Sequence, residues 1–265
     1  MANASAHRLA TWFASPSGAR VLAEEVEVLS GIVRRIHGDA LLWLGCDQGL
    51  DSVVRGSMVR HRILGALSSV EADTEQSVIC CLHDELPFAN GSMDAVILRH
   101  ALETARDPRT VLREATRAIA PGGRLVIATF NPWSLWGLRR LYAGAVPDAL
   151  RGLTLVAPYR LLDWLTLLGF DLNAAPEFRA YSLPLLERSH ADSVTRHNAL
   201  ERFLIRRRVP LGGVMILSAT KRALAGRLRR DRVTRLAPQP FGRPAYNRGN
   251  VIRLPVSQNR RGLGD

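Results

Sequence analysis

Apolar positions along the chain follow two different periods. In residues 16–36, PSGARVLAEEVEVLSGIVRRI, the positions Val21, Leu22, Val26, Leu29, Ile32, Val33 and Ile36 recur at helical spacing. This predicts an amphipathic helix, stopped at His37-Gly38-Asp39. Short continuous apolar runs follow: ALLWL at 40–44, HRILGAL at 61–67, SVICCL at 77–82, DAVIL at 94–98 and RLVIATF at 124–130. Each is strand-sized and apolar on both faces, as expected of parallel strands buried under helices. A short helical stretch is expected around residues 52–59, and a longer helix over 106–120. The longer one has Pro108 in its first turn, an apolar set of Val111, Leu112, Ala115 and Ile119, and a stop at Pro121-Gly122-Gly123. Residues 158–172 predict a further helix, stopped by Gly169. FRAYSL at 178–183 and GVMILSATKR at 213–222 close the series as two strands, separated by a polar, basic insertion. The pattern predicts an α/β, Rossmann-like, doubly wound fold, with helices on both faces of a mostly parallel sheet and an antiparallel edge hairpin. The expected organisation is a helical segment at 1–37 packing on a domain at 38–220, then a tail at 221–265.

Composition narrows this further. The chain has 265 residues, 47% hydrophobic and 23% charged, the balance of an ordinary soluble globular protein. No apolar run approaches the ~18 residues of a membrane span, and the N-terminus lacks the pattern of a secretory signal, so a cytoplasmic protein is expected. Cys46, Cys80 and Cys81 show neither metal-ligand spacing nor a disulfide framework. The net charge of +12 is concentrated at one end. Residues 221–265 hold one Lys and eleven Arg against Asp231 and Asp265, ten of the twelve net charges. That tail has two readings: a solvated, disordered extension, or an arm for anionic partners such as nucleic acid. Phe241 and Tyr246 are its only aromatic residues for stacking on bases.

In open parallel sheets, ligands bind beyond the carboxyl ends of the strands. The segments expected there are GCDQG (45–49), LSSVEAD (67–73), HDELPF (83–88), RHALE (99–103) and FNPWS (130–134). Together they resemble the class I S-adenosylmethionine-dependent methyltransferases, in the type 11, UbiE-like group. Asp84, Leu86, Pro87 and Phe88 match the family's D-x-LPF turn, and Ser92, Met93 and Asp94 its S-F-D stretch. Arg117 with Pro121-Gly122-Gly123 matches its R-x-L-x-PGG. The resemblance covers about residues 38–220. It implies S-adenosylmethionine as cofactor, bound by Gly45, Cys46, Asp47, Gly49, Ser68, Asp84, Glu85, Leu86 and Arg99. It implies a substrate pocket at His100, Asn131, Trp133 and Trp136, and identifies no catalytic residue. Architectural readings stand beside several of these. Asp94 can accept hydrogen bonds from a turn, Asp84 can cap one, and His100, near Glu103, is either a helix-start residue or a base.

The chain departs from the family pattern at two places. Where the family's first loop reads D-L-G-C-G-x-G, Trp43 replaces the acid and Asp47 the middle glycine. After the second strand the family carries an acid for the ribose; here Ser68 or Ser69 stands there, with Glu71 and Asp73 later. Asp47 is expected either to repel the cofactor's carboxylate or to hold its ammonium. The function expected is methyl transfer from S-adenosylmethionine to an unidentified acceptor. The alternative is a degenerate methyltransferase-fold protein with a binding or scaffold role, associated with nucleic acid through its tail.

Overall fold

The computed structural model describes residues 2–67, 77–134, 137, 152–181, 199–207 and 209–223, all within one compact unit spanning Met1–Leu224. The elements are α1 (Ala2–Phe13), α2 (Pro16–Val33), β1 (Ala40–Gly45), α3 (Leu50–Val54), β2 (His61–Ala66), β3 (Ser77–Cys80), β4 (Met93–Arg99), α4 (Ala101–Thr104), α5 (Pro108–Ala118), β5 (Ile119–Phe130), α6 (Pro158–Leu167), β6 (Phe170–Leu172), β7 (Glu177–Arg179), α7 (Ala199–Arg207) and β8 (Val214–Lys221). Ser68, Ser69, Glu71, Asp73, Trp136 and the tail beyond Ala223 lie outside the described residues.

The strands form one sheet in the order β3-β2-β1-β4-β5-β8-β6, with β7 also on β8. The neighbours from β3 to β5 pair in parallel, and β8 runs antiparallel to β5, β6 and β7. Strand alternation divides the core into two layers. Leu41 and Trp43 of β1, with Ala95 and Ile97 of β4, meet Leu9 and Phe13 of α1 and Val21, Leu29 and Val33 of α2. Leu42 and Leu44, with Val96 and Leu98, face Val111, Leu112 and Ala115 of α5 and Leu161 and Leu165 of α6. Each fully buried Leu or Val of this kind contributes about 1.5–3 kcal/mol, so the apolar strands β1, β4 and β5 enforce cover on both faces. By contrast, β3, expected to be buried, lies at the sheet edge with Ser77, Val78 and Cys80 exposed. Ser15 starts α2, its hydroxyl accepting from Gly18 N at 3.2 Å, with Pro16 in the first turn.

Local boundaries differ from the periodic pattern where the chain must turn. The short helix occupies Leu50–Val54, not 52–59. The helix predicted to stop at Gly169 ends at Leu167, as expected. Gly169, at φ 81°, reverses the chain, and Phe170 then pairs with β8 as β6. The strand predicted at 178–183 begins one residue earlier and stops at Arg179. Ala180 has φ 60° there, and its N–H donates to Glu24 of α2 at 2.9 Å.

Two of the family-matching motifs have structural tasks. Arg117 donates to the carbonyls of Leu86 and Phe88 at 2.9 and 2.7 Å, while Glu114, paired with Arg117, accepts from Leu86 N. This pair clamps the LPF turn onto α5. Asp94 Oδ2 accepts from the amides of Asp39 and Ala40 at 2.6 and 3.0 Å. It fixes the start of β1 at the end of the sheet opposite the floor loop described next.

Candidate functional site

Strand order reverses between β1 and β4, because β2 and β3 lie on one side of β1 and the later strands on the other. Beyond the carboxyl end of β1 the chain forms a floor loop, Gly45–Gly49. Gly45 takes φ 101°, and a Cβ there would lie 2.0 Å from the Arg99 carbonyl oxygen. That close approach allows Cys46 N to donate to Arg99 O at 2.9 Å. Gly49, at φ 79°, turns the chain into α3 beneath Val26 and Leu22 of α2. Both retained glycines therefore answer to the protein's own packing. Trp43 is fully buried, and its indole N–H donates to Cys46 O at 2.8 Å. Where the family has an acid, this chain braces the loop from the core.

Above the loop is a cavity of about 220 Å³. Its floor is Gly45, Cys46, Asp47 and Gln48. Leu64, Ala66 and Leu67 come from β2 and its end, His83 from the turn after β3, and Thr104 from α4. Ala6, His7 and Ala10 of α1 complete the lining. His83 is buried and contacts Gly65 O at 3.4 Å; burial lowers its pKa, so the imidazole is neutral at pH 7. Gln48 Oε1, on the floor, is a buried acceptor with no partner among the described residues, as are the nearby donor Arg99 Nη2 and acceptor Glu103 Oε2. Unsatisfied buried groups are rare and call for an explanation.

Beneath the loop run four buried ionisable side chains. Arg99 Nε donates to Glu25 Oε2 at 2.8 Å, the other Glu25 oxygen meets His100 Nε2 at 2.8 Å, and His100 Nδ1 meets Glu103 Oε1 at 2.9 Å. Glu103 Oε1 also accepts from Phe130 N at 2.7 Å. Burial alone would lower the His100 pKa, but Glu25 and Glu103, one on each ring nitrogen, outweigh it and raise it to about 9. Burial likewise pushes Glu25 upward, yet His100 and Arg99 outweigh it and hold it below the usual carboxylate range.

The two signs bound a pH window. The raised imidazole contributes stability fully below its unfolded pKa of roughly 6.5, and that contribution is lost as pH rises through about 9. The lowered carboxylate contributes above its unfolded value and is lost as pH falls through the lower folded one. Melting temperature is therefore expected to decline from about pH 7 toward pH 10. Asparagine tolerates the left-handed backbone at φ 52°, so His100→Asn should abolish that alkaline decline. An unchanged decline in this variant would assign it to another group.

Among the residues expected at the cofactor, Gly45, Cys46 and Asp47 line the cavity and Gly49 does not. Asp84 and Glu85 are exposed on the tight turn closed by Glu85 N to Leu82 O. Leu86 is buried, and Arg99 lies beneath the floor at 1% exposure. Ser68 lies outside the described residues. On the substrate side, His100 is not on a pocket wall: it is wholly buried between two carboxylates. Asn131 is also buried, its amide donating to Pro210 O and Gly212 O. Trp133 is exposed and stacks on Tyr159 at 5.4 Å, and Trp136 lies outside the described residues. Sequence reasoning missed the α1 face and His83. The α1 face was signalled by Ala6 and Ala10, small residues four apart beside the buried Leu9 and Phe13. For His83 the only hint was its place next to Asp84.

Comparison with known proteins bears on the fold and on the middle of the chain. A family model for a methyltransferase domain, type 11, matches residues 58–127. The uncharacterized protein YafS of Escherichia coli K12 is 41% identical over 93 residues, covering 35% of this chain and 39% of that protein. A demethylmenaquinone methyltransferase of Renibacterium salmoninarum is 37% identical over 65 residues, covering 24% of this chain and 27% of that one. The chain thus spans well under half the length of these relatives. The crystal structure of an S-adenosylmethionine-dependent methyltransferase from Thermotoga maritima superposes with a TM-score of 0.56 at 16% identity, over 80% of this chain and 93% of that one. A methyltransferase-domain family model thus matches residues 58–127 of this chain, and its fold is the one seen in S-adenosylmethionine-dependent methyltransferases of known structure.

Proposed function

We propose that this chain transfers a methyl group from S-adenosylmethionine to an acceptor still to be identified. The observation that carries this reading is the cavity over the Gly45–Gln48 floor, at the reversal of strand order, with the unpartnered Gln48 Oε1 on it. The residues present fit the cofactor there. Gln48 Oε1 and the half-buried Asp47 suit its ammonium, while Leu64, Ala66 and Leu67 offer apolar walls. His83, neutral through burial, adds a polar contact without adding charge. Asp84, exposed, follows His83 in the chain, and Ser68 follows Leu67. Among the described residues at the end of β2 there is no carboxylate for a ribose. Gly45, Gly49, Glu85 and Leu86 shape the surrounding turns.

When bound, S-adenosylmethionine supplies an electrophilic methyl group on a sulfonium whose departure leaves a neutral thioether. The chain's task is then to position, desolvate and exclude water. The α1 face closes over the floor loop for that purpose. On the acceptor side the exposed Trp133, stacked on Tyr159, is the described residue open to a planar or apolar substrate. No described helix is long and apolar enough to cross a membrane, and three free thiols support residence in the reducing cytoplasm. The net charge of residues 221–265 supports contact with an anionic partner such as nucleic acid.

Calorimetric titration with S-adenosylmethionine and S-adenosylhomocysteine tests the reading. Binding is expected for both, with a melting temperature that rises with ligand. At a hundredfold excess over Kd, stabilisation should reach about 2.7 kcal/mol. No heat and no shift at millimolar ligand would sink the enzyme reading.

A further inference from the structure

The buried charges beneath the cavity are not consumed by the chemistry just proposed. Arg99 serves three elements at once. Its Nε donates to Glu25 of α2. Its Nη1 donates to Cys46 O at 3.3 Å and Gln48 O at 3.0 Å on the floor loop. Its guanidinium lies 4.4 Å from the ring centroid of Phe13 in α1, the helix whose Ala6, His7 and Ala10 line the cavity. Carbonyl and amide point in opposite directions across a trans peptide. With the Cys46 and Gln48 carbonyls drawn toward Arg99, the Asp47 and Gly49 amides point away from it, and neither donates to a described residue.

We propose that Arg99 is the positioning residue of the cavity: it holds the floor loop by two carbonyls and, through Glu25 and Phe13, registers the N-terminal helix pair over that floor. The planar, five-donor fork of arginine suits the task because one rigid group reaches acceptors on two elements. A lysine at 99 brings one ammonium point charge in place of the fork's separated donors, so it cannot keep the spacing between Glu25 and the two loop carbonyls. The inference deepens the methyltransferase reading and rests on it only for the affinity measurement below.

Cys46 supplies a ligand-free reporter. Its thiol is buried, and burial raises its pKa to about 12, so alkylation in the native state should be slow while the loop is held. Cys80 is exposed and serves as an internal reference. The proteins to compare are wild type, Arg99→Lys, the charge-balanced double variant Glu25→Gln/Arg99→Met, and Leu165→Ala. The last is a control that loosens the opposite core layer. The measurements are iodoacetamide labelling of each cysteine by peptide mass spectrometry, Kd for S-adenosylhomocysteine, and melting temperature. For both Arg99 variants, labelling of Cys46 relative to Cys80 is expected to accelerate at least tenfold and Kd to rise at least tenfold. Leu165→Ala should lower the melting temperature with neither effect.

Folded Arg99 variants with labelling and Kd within twofold of wild type would overturn the proposal. So would matching changes in the Leu165→Ala control, or failure of both Arg99 variants to fold, since each would reduce Arg99 to a core support. If wild type binds no S-adenosylhomocysteine, the cofactor reading falls, and the Cys46 labelling still decides the role of Arg99.

Discussion

Glu25→Ala is expected to destabilise the protein by about 3–5 kcal/mol, because removing one partner leaves an uncompensated buried charge. Glu25 is wholly buried and carries one cation on each oxygen, Arg99 at 2.8 Å and His100 at 2.8 Å. Without it, two cations face the single carboxylate of Glu103 inside the core. His100 can relieve part of the cost by releasing its proton, since the group that most raises its pKa is gone. Arg99 has no such exit. Urea unfolding at pH 7 measures the loss. The gap to wild type should narrow at pH 10, where wild-type His100 has itself given up its proton. A loss under about 1 kcal/mol would mean that water or rearrangement reaches this region, and the buried network would lose its standing.

Gly45→Ala is expected to be of similar severity or worse, and Gly49→Ala to cost clearly less. Both glycines have positive φ, at 101° and 79°, which carries a strain of order 1–3 kcal/mol for alanine. What separates them is the neighbour. At Gly45 the new methyl meets backbone: the Arg99 carbonyl oxygen at 2.0 Å and Ala101 N at 2.9 Å. Relieving that contact means parting β1 from β4 and breaking the Cys46–Arg99 hydrogen bond. The total should exceed roughly 4 kcal/mol, the range reserved for core disruption. At Gly49 the nearest atoms are the side-chain ends Val26 Cγ2 at 2.8 Å and Leu22 Cδ1 at 3.1 Å, which can shift. Denaturation midpoints of the pair check the argument. Equal losses would show that conformation, not the close strand approach, selects glycine at 45.

The fold was legible because its determinants are local. Apolar runs such as RLVIATF and the spacing of Val111, Leu112 and Ala115 state their own period, and each landed in its expected element. The edges were less legible. The stop at Gly169 could be read from the sequence, but not that Phe170 beyond it pairs with β8 as a strand.

Part of the candidate site was legible for the same reason. Gly45, Cys46 and Asp47 follow directly from the end of a strand, and the rule that ligands bind beyond strand ends locates them. His100 and Asn131 were assigned to the acceptor side by the same rule. Sequence position alone does not show that the chain crosses above them and buries both.

From the sequence alone came a buried parallel sheet with helices on both faces, a floor loop after its first strand, and a concentration of arginine beyond residue 220. All three follow from periodicity and composition, which need no knowledge of distant neighbours. Only the tertiary structure decided what the unusual residues do. Trp43, in place of an acid, became a core brace for the loop. Asp94 became a tie to the start of β1. Glu25 and Arg99, 74 positions apart, became a buried pair under the floor. A buried charge is stable only where its partner arrives with correct geometry, and that arrival depends on how α2 lies across β4. The register of packed elements, not the order of residues, carries that information.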